Sequence, residues 1–280
     1  MWSIKRISLV LLAAVGIVAC DREPDTGVQS AAPPAQAASR ITPQMDTAAL
    51  AITGEKIRRV IAEISGDRYG GRLPGTEGDV LARRYIAAEL ARIGFAPGSP
   101  DGGYEQPIEL VGVTAEMPAV WRFERGRESV ELARSTDFIA ASGVQAATAE
   151  LHDAELVFAG YAIQAPEYGW NDFKNVDVSG KVLIVLNNDP DWDPALFEGN
   201  TRLYYGRWTY KYESAARQGA AGVIIVHTVP SAGYPWQVVQ SSWTGPQYEL
   251  PAGDEPRVAI QAWATEDAVR RLLGDAHNLD

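Results

Sequence analysis

Cysteine and histidine are both scarce in this sequence. Cys20 is the one cysteine among 280 residues, so no intramolecular disulfide can form and a hydrophobic core must hold the fold together. Hydrophobic residues make up 46% of the chain, which is ordinary for a globular protein and sufficient for such a core. The three histidines, His152, His227 and His277, are widely separated, so a metal centre built on histidine has few candidates.

Positive charge is also in deficit. The chain has 25 Lys and Arg residues against 36 Asp and Glu residues, for a formal net charge of −11. A surface that binds DNA or RNA normally has clustered basic residues and a basic overall balance. Neither is present, and we expect no nucleic-acid partner.

The usual catalytic constellations are missing as well. No segment has the Gly-x-Ser-x-Gly pattern of a serine-hydrolase elbow. His152 precedes Asp153, but adjacent residues in a strand would point to opposite faces. His227 ends an apolar run, where a polar residue is ordinary, and His277 lies close to the last residue. The sequence therefore offers no catalytic residue and no metal ligand.

Three carboxylates cluster after an apolar run. Asp189, Asp191 and Asp193 surround Pro190 and Pro194, which favours a solvated loop. Contact with a cation or a substrate is the alternative. Acid pairs of the kind that hydrolyse glycosides are not excluded by composition, because 36 acidic residues supply many accidental pairs.

Aromatic residues are crowded into two stretches of the second half. They are Trp192, Phe197, Tyr204, Tyr205, Trp208, Tyr210 and Tyr212, followed by Tyr234, Trp236, Trp243 and Tyr248. Such side chains favour half-wet positions, and packing of loops over a small sheet is the favoured interpretation. The alternative is a wall over a substrate cleft or a contact with a further domain, with Arg202 and Arg207 meeting a substrate carboxylate or a nearby acid.

The first twenty residues have the pattern of an export signal. Lys5 and Arg6 precede the apolar stretch 7–17, which is too short for a permanent membrane-spanning helix. The residues before Cys20 resemble a bacterial lipobox, which implies that Cys20 becomes a lipid-anchored N-terminus; an ordinary cleaved signal is the alternative. We expect export to the cell envelope, with the chain anchored to a membrane and facing the periplasm. Residues 21–49 are rich in Ala, Pro, Ser and Gln and predict a flexible tether.

Two amphipathic helices are predicted next. Ile57, Val60, Ile61 and Ile64 follow a helical period. Thr76 and Asp79 form a capping pattern for a second helix that ends at Gly94. Its expected buried face is Leu81, Tyr85, Ile86, Leu90 and Ile93. Both stripes are expected to pack on a sheet.

Strands dominate the rest of the chain. Segments 107–113 and 119–139 alternate, with a hairpin expected around Gly126. The runs 155–159, 181–186 and 222–226 predict buried strands, and a helix over 209–218 makes a βαβ crossover. A short strand is expected at 258–260 and a helix at 265–273. The predicted fold class is α/β and mixed.

Two segments resemble known families. Residues 71–76, the helix that follows and Gly94-Phe95 resemble the N-terminal part of M28-family zinc aminopeptidases. Residues from about 145 to 275 resemble the protease-associated (PA) domain that is inserted in many such peptidases. The stretches that carry this second likeness are Phe158–Ile163, Val178–Val185 and Lys211–Val226. The implied organisation is a signal peptide (1–20), a tether (21–49), an incomplete peptidase domain (50–144) and a PA domain (145–280).

The resemblance implies removal of N-terminal residues from peptides. The family holds two zinc ions with His and carboxylate ligands, among them an adjacent Glu-Glu pair, and activates a water molecule. This sequence has no Glu-Glu pair. We expect the chain to contain only the N-terminal part of such an enzyme, to lack the metal-binding core and to bind no catalytic zinc. The peptidase part is then expected to expose apolar helix faces. A non-catalytic PA-domain lipoprotein that binds peptides or proteins is the alternative, and a carbohydrate-binding protein that uses the aromatic loops is a weaker one.

Overall fold

A computed structural model describes residues 42–174 and 176–274 as a mixed α/β protein, which confirms the predicted fold class. Cys20, His277 and the predicted export signal lie outside the described residues. The chain divides into two units, one up to Gly66 and one from Asp67 onward. In the described part of the chain, no helix has both the length and the apolar character needed to cross a membrane.

The described part of the first unit consists of two helices. Helix α1 (Pro43–Ala49) begins after Thr42, whose hydroxyl accepts a hydrogen bond from the Met45 N–H. These residues were assigned to the predicted tether, and the cap together with the proline at the first helical position explains why they are helical. Helix α2 (Gly54–Ile64) is the first predicted amphipathic helix and begins after Thr53, whose hydroxyl accepts from the Lys56 N–H, but none of its residues is buried. Its apolar stripe is present but exposed: Ile57 and Ile61 are 50% and 56% exposed.

The first α-helix of the second unit is α3 (Glu77–Arg92), whose two ends confirm the predicted signals. Thr76 accepts from the Asp79 N–H at its start. At its end Gly94 has φ +91°, and the N–H groups of Gly94 and Phe95 donate to the carbonyls of Ala91 and Leu90, as in a Schellman motif.

One face of α3 was predicted wrongly. Gly78 and Ala82 are its buried residues, whereas Ile86 is 50% exposed. A Cβ atom on Gly78 would lie 1.7 Å from the backbone oxygen of Tyr69, so the close approach of these two backbones requires glycine. Small residues, rather than the long aliphatic ones, thus make the close contact of this helix.

A five-stranded sheet is the centre of the second unit. Its spatial order is β4 (Phe138–Ser142), β11 (Ile260–Thr265), β9 (Gly222–His227), β8 (Val182–Leu186) and β5 (Leu156–Phe158). The pairs β5–β8, β8–β9 and β9–β11 are parallel, and β4 is antiparallel to β11. The predicted βαβ crossover is confirmed: helix α4 (Trp208–Arg217) joins β8 to β9.

The parallel strands follow one direction across the sheet, so right-handed crossovers place their helices on one face. That face is covered by α4 and by helix α6 (Trp236–Ser242), through buried Tyr212, Ala215, Ala216 and Val239. The opposite face is covered by helix α7 (Glu266–Leu273) and by the hairpin of β2 (Val120–Arg125) and β3 (Glu128–Ala133). Alternate residues of each central strand belong to the two cores, as in a sheet buried on both sides.

Short elements complete this unit. The turn of the β2–β3 hairpin is Gly126-Arg127, as predicted, and Trp121 stacks on Phe138 with ring centroids 4.0 Å apart. Strands β1 (Val111–Val113) and β10 (Gln247–Glu249) pair with each other, as do β6 (Gln164–Ala165) and β7 (Trp170–Asn171). Helix α5 (Val229–Ala232) follows β9.

The last strand was placed too early in the sequence. Strand β11 starts at Ile260 and continues through Trp263 to Thr265, instead of covering 258–260. Its register against β9 pairs Trp263 with Ile225, in the middle of the sheet. The sequence around Trp263, a tryptophan flanked by alanines, shows no clear alternation of apolar and polar residues. Its strand conformation follows from its pairing with β9 and β4.

Candidate functional site

The connections that follow the carboxyl ends of β5 and β8 meet around one buried cation. The Lys211 side chain of α4 is fully buried, and its Nζ donates to the carbonyl oxygens of Tyr161, Asn188 and Tyr205 at 2.7, 2.5 and 2.9 Å. An ammonium has three N–H donors, and all three are used here. Lys211 therefore ties the loop after β5 to two separate points of the connection between β8 and α4.

Burial governs the electrostatics of this cluster. It lowers the pKa of Lys211 to about 7, and the nearby carboxylates of Asp172 and Asp189 oppose that change. One carboxylate oxygen of Asp172 accepts from the N–H groups of Tyr161 and Ile163 at 3.1 and 2.9 Å. Both acids hold loop backbone near the ammonium, and the arrangement positions loops rather than reacting groups.

The three carboxylates of the predicted acidic loop do not converge. Asp189 is buried, and it accepts from the Leu203 N–H at 3.1 Å; burial raises its pKa. Asp193 accepts from the Ala195 N–H at 2.9 Å, which stabilises a turn, and Asp191 is exposed. In residues 42–174 and 176–274, no group of three or more His, Cys, Asp and Glu side chains is placed to hold a metal ion. The cation near Asp189 is the protein's own Lys211 and not a bound ion.

Three residues of the first aromatic stretch, Phe197, Tyr205 and Tyr210, belong to a small separate core. Phe197 and Tyr210 are buried with Ile163 and Ala165, and Tyr168, Trp170 and Tyr205 pack against them. The Tyr205 hydroxyl donates to Glu167, which is the main reason why the pKa of Tyr205 rises to about 12. Packing of the loops, the favoured interpretation, accounts for these side chains. Trp192 differs, since it is 64% exposed at the edge of this core.

The second aromatic stretch surrounds His227. The His227 ring lies 5.9, 5.4 and 6.2 Å from the rings of Tyr234, Trp236 and Trp263, and its Nε2 donates to the Tyr234 carbonyl oxygen at 3.1 Å. Burial lowers its pKa, so the ring is neutral near pH 7. His227 ends β9 as predicted and is a packed, hydrogen-bonded residue.

The remaining candidates lie apart from one another. His152 is in a loop instead of a strand, is exposed, and has Nε2 3.3 Å from a carboxylate oxygen of Glu150. The Arg202 guanidinium donates to the Ser231 carbonyl at 2.8 Å, and the Asn187 amide donates to the same oxygen at 3.2 Å. Arg202 thus connects the segment between β8 and α4 to helix α5 and does not present its charge to a ligand.

Sequence reasoning missed the two most unusual side chains. Lys211 lies between two tyrosines in α4, and its burial was not expected; a single charge inside an otherwise buried helical segment was the available signal. Trp263 is 1% exposed, and its Nε1 has no hydrogen-bond partner within the described ranges. Nothing in the local sequence indicates that this donor is unpaired.

Comparison with known proteins supports the PA assignment. Residues 138–261 match the family model described as the PA domain. This range contains β4, β5, β8 and β9 and the loops around Lys211, so the predicted resemblance to a PA domain is confirmed. The boundary at residue 145 and the other domain limits stay predictions.

The comparison with solved structures includes a zinc aminopeptidase from Bacillus subtilis, at 14% identity and a TM-score of 0.31. The alignment covers 77% of this chain and 40% of that one, so the chain spans less than half the length of this neighbour. The comparison with curated proteins gave no match. The likeness to the solved structure is too low to support an argument about activity.

Proposed function

We propose that this chain is the N-terminal part of an exported, lipid-anchored zinc aminopeptidase of the M28 family. The observation that carries the proposal is the PA-domain match at 138–261 in a chain whose residues 71–95 resemble the N-terminal part of those peptidases. The PA-domain match by itself supports a protease-associated protein. The M28 family, export and the lipid anchor are the further parts of the proposal.

The exposed helix faces support a larger peptidase domain. Ile57 and Ile61 of α2, Ile86 of α3 and Ile93 directly after α3 are all at least half exposed. Contiguous exposed apolar surface marks an interface, a binding site or a liability for aggregation. In the proposed enzyme these faces are covered by the remaining sheet of the peptidase domain.

The residues described here do not fit a pair of zinc ions. Zinc sites need three or four His, Cys or carboxylate ligands, and the described ranges contain no such cluster. No catalytic step is therefore assigned to this chain. In the proposal the metal ligands, and with them the peptide hydrolysis, belong to sequence beyond Asp280, and this chain contributes the anchor, the PA domain and the first helices.

The genomic sequence after Asp280 tests the peptidase proposal. A reading frame that continues with His, a bridging Asp and Glu-Glu supports it, and the extended protein should hydrolyse leucine p-nitroanilide in a zinc-dependent, chelator-sensitive manner. A natural stop codon after Asp280 together with a soluble, folded product overturns it. That outcome favours the second candidate, a non-catalytic PA-domain lipoprotein that binds peptides.

The lipid anchor has its own test. In a bacterial host that processes lipoproteins, the chain should be found in the membrane fraction with a mass increase at Cys20 that corresponds to acyl chains. The Cys20→Ser variant should lose both. Membrane association without acylation of Cys20 contradicts the anchor but leaves the peptidase proposal intact.

A further inference from the structure

Strand β5 is one edge of the five-stranded sheet. In the described part of the chain its strand partner is β8 alone, and the two run parallel. The Glu155 carbonyl accepts from the Val182 N–H at 2.9 Å, and the Ala159 N–H donates to the Ile184 carbonyl at 3.0 Å. Successive residues of a strand point their backbone groups to opposite sides, so the bonds to β8 come from Glu155, Val157 and Ala159.

The backbone groups of Leu156 and Phe158 therefore point outward. Among residues 42–174 and 176–274, no other backbone group is hydrogen-bonded to them on that side. Each of the two residues presents one N–H donor and one C=O acceptor. An added strand carries donors and acceptors at the same spacing, and such addition is a known mode of peptide recognition. We call the outer side of residues 155–159 the free edge.

The side chains of the free edge are mostly apolar. Phe158 is 44% exposed, and it lies on the same face of the sheet as Leu156, which packs against the core that α7 covers. Sheet edges are commonly protected by proline, by lysine or by a covering segment. Residues 155–159 contain neither proline nor lysine, and Glu155 is their only charge. Phe158 can therefore contact an apolar side chain of an added strand.

Charge distinguishes two kinds of added strand. The chain has a formal net charge of −11, so two copies of it repel each other. Directly before β5 the Glu155 side chain is 67% exposed, and its ion-pair partner is Lys181 at 2.8 Å. A strand with a basic residue is attracted to this surface, whereas an acidic strand is repelled. The free edge therefore favours a basic, apolar peptide over a second copy of this chain.

We propose that the free edge binds an extended peptide through backbone hydrogen bonds to Leu156 and Phe158, with an apolar residue against Phe158 and a basic residue nearby. The site lies within the segment that matches the PA domain. The choice of a peptide as ligand rests on the proposed function, whereas the geometry of the edge does not. Binding needs neither zinc nor hydrolysis and can be measured with the chain as it is.

Calorimetric titration of the 280-residue chain with N-methylated peptides tests whether backbone pairing carries the binding. The probe is acetyl-Lys-Val-Thr-Val-Thr-Lys-amide, with one derivative N-methylated at both valines and another at both threonines. Because alternate N–H groups of a strand point the same way, one derivative should bind at least about tenfold more weakly and the other like the probe. Equal loss with both derivatives, loss with neither, or no saturable binding up to about 1 mM overturns the proposal.

A charge-reversed probe tests the preference for a basic peptide. Acetyl-Glu-Val-Thr-Val-Thr-Glu-amide should bind about tenfold more weakly than the lysine probe at low ionic strength, and the difference should shrink as salt is added. Equal affinity of the two peptides at low ionic strength overturns the preference.

Three variants locate the binding site. Phe158→Pro removes an outward N–H and an apolar side chain but leaves the bonds of β5 to β8, and it should raise the Kd at least about tenfold. Ile108→Pro is the matched control, because it makes the same kind of change at a residue that is 63% exposed and lies outside β5. It should bind like the wild type. Phe158→Lys keeps the N–H, should raise the Kd about tenfold, and decides the question if Phe158→Pro does not fold.

These outcomes are separate from the fate of the peptidase proposal. Binding that is lost in Ile108→Pro but kept in Phe158→Pro overturns the site, even if the extended protein is an active aminopeptidase. A dimer in sedimentation velocity that Phe158→Pro dissociates assigns the free edge to a second copy and also overturns the proposal. Peptide binding with the expected variant pattern stands even if the reading frame ends at Asp280.

Discussion

The five-stranded sheet and the helices α2 and α3 use similar aliphatic residues with opposite results. In β8 and β9 the residues Leu183, Ile184, Ile224 and Ile225 are 0–1% exposed, because both faces of the sheet are covered. In α2 and α3 Ile57, Ile61 and Ile86 are 50–56% exposed, because within each unit the described residues provide little cover for them. An apolar stripe in the sequence predicts which face of a helix or strand can be buried. Whether that face is buried depends on the elements that the rest of the fold packs against it.

The buried cation of the sheet region gives the largest expected effect. Lys211→Met removes three charge-assisted hydrogen bonds and leaves three loop carbonyls without their donor. We expect the free energy of unfolding to fall by about 4 kcal/mol, as measured by urea denaturation at pH 7. Arg217→Met, on the exposed side of the same helix, is the control and should change it by less than about 0.5 kcal/mol.

The lowered pKa of Lys211 also predicts how the free energy of unfolding changes with pH. Its pKa is about 7 in the folded protein and about 10.4 when unfolded, so the unfolded chain binds more protons between these values. The free energy of unfolding contributed by this group should therefore rise as the pH increases from about 7 to about 10. A Lys211→Met variant whose stability rises as steeply as that of the wild type would contradict this assignment.

A pair of matched truncations measures the comparison directly. Ile225→Ala removes a fully buried side chain from the sheet and should lower the free energy of unfolding by about 3 kcal/mol. Ile86→Ala makes the same change in the exposed stripe of α3 and should cost less than about 1 kcal/mol. Similar losses for the two variants would show that α3 is covered in solution, for example by association of two chains, which sedimentation velocity would reveal.

The close approach at Gly78 gives a smaller effect within α3 itself. A methyl group there collides with the Tyr69 backbone, so Gly78→Ala should lower the free energy of unfolding by about 2 kcal/mol despite the better helix propensity of alanine. Gly98→Ala, where no atom lies within 4 Å of the added Cβ, is the control. Equal stability of the two variants would contradict the observed contact.

Protonation of His227 at acidic pH should have the smallest effect on the stability of the fold. Burial lowers the pKa of His227 in the folded protein, so the unfolded chain takes up this proton first as the pH falls through about 6.5. The stability contributed by His227 should decrease below that pH, and the melting temperature should fall between pH 7.5 and pH 5. His227→Gln, which preserves an N–H donor toward the Tyr234 carbonyl, should reduce this part of the acid sensitivity.

Local signals in the sequence were reliable wherever the chain decides its own conformation. The cap at Thr76, the helix end at Gly94 and the Gly126 hairpin turn all involve hydrogen bonds between residues a few positions apart. The order strand, helix, strand around α4 was also predictable, because crossover topology follows from element order. The likeness of this region to PA domains led to the same conclusion.

Features that depend on distant partners were not predictable. The burial of Lys211 requires carbonyls 50, 23 and 6 positions away in the sequence. The strand at Trp263 and its unpaired donor depend on pairing with β9 and β4. From the sequence, Asp189 was compatible with a solvated loop, a cation contact or a substrate contact. Only the arrangement of the loops showed that it accepts a hydrogen bond from the Leu203 backbone.

The scarcity of histidine and cysteine, the helix ends, the hairpin turn and the kind of domain could all be read from the sequence, because they follow from composition or from neighbouring residues. The folded arrangement was needed to learn which apolar faces are covered, that the charge of Lys211 is buried and that the buried Trp263 indole has no hydrogen-bond partner among the described residues. Burial and hydrogen-bond satisfaction are properties of surfaces brought together from far apart in the chain, and no local pattern contains both sides of such a contact.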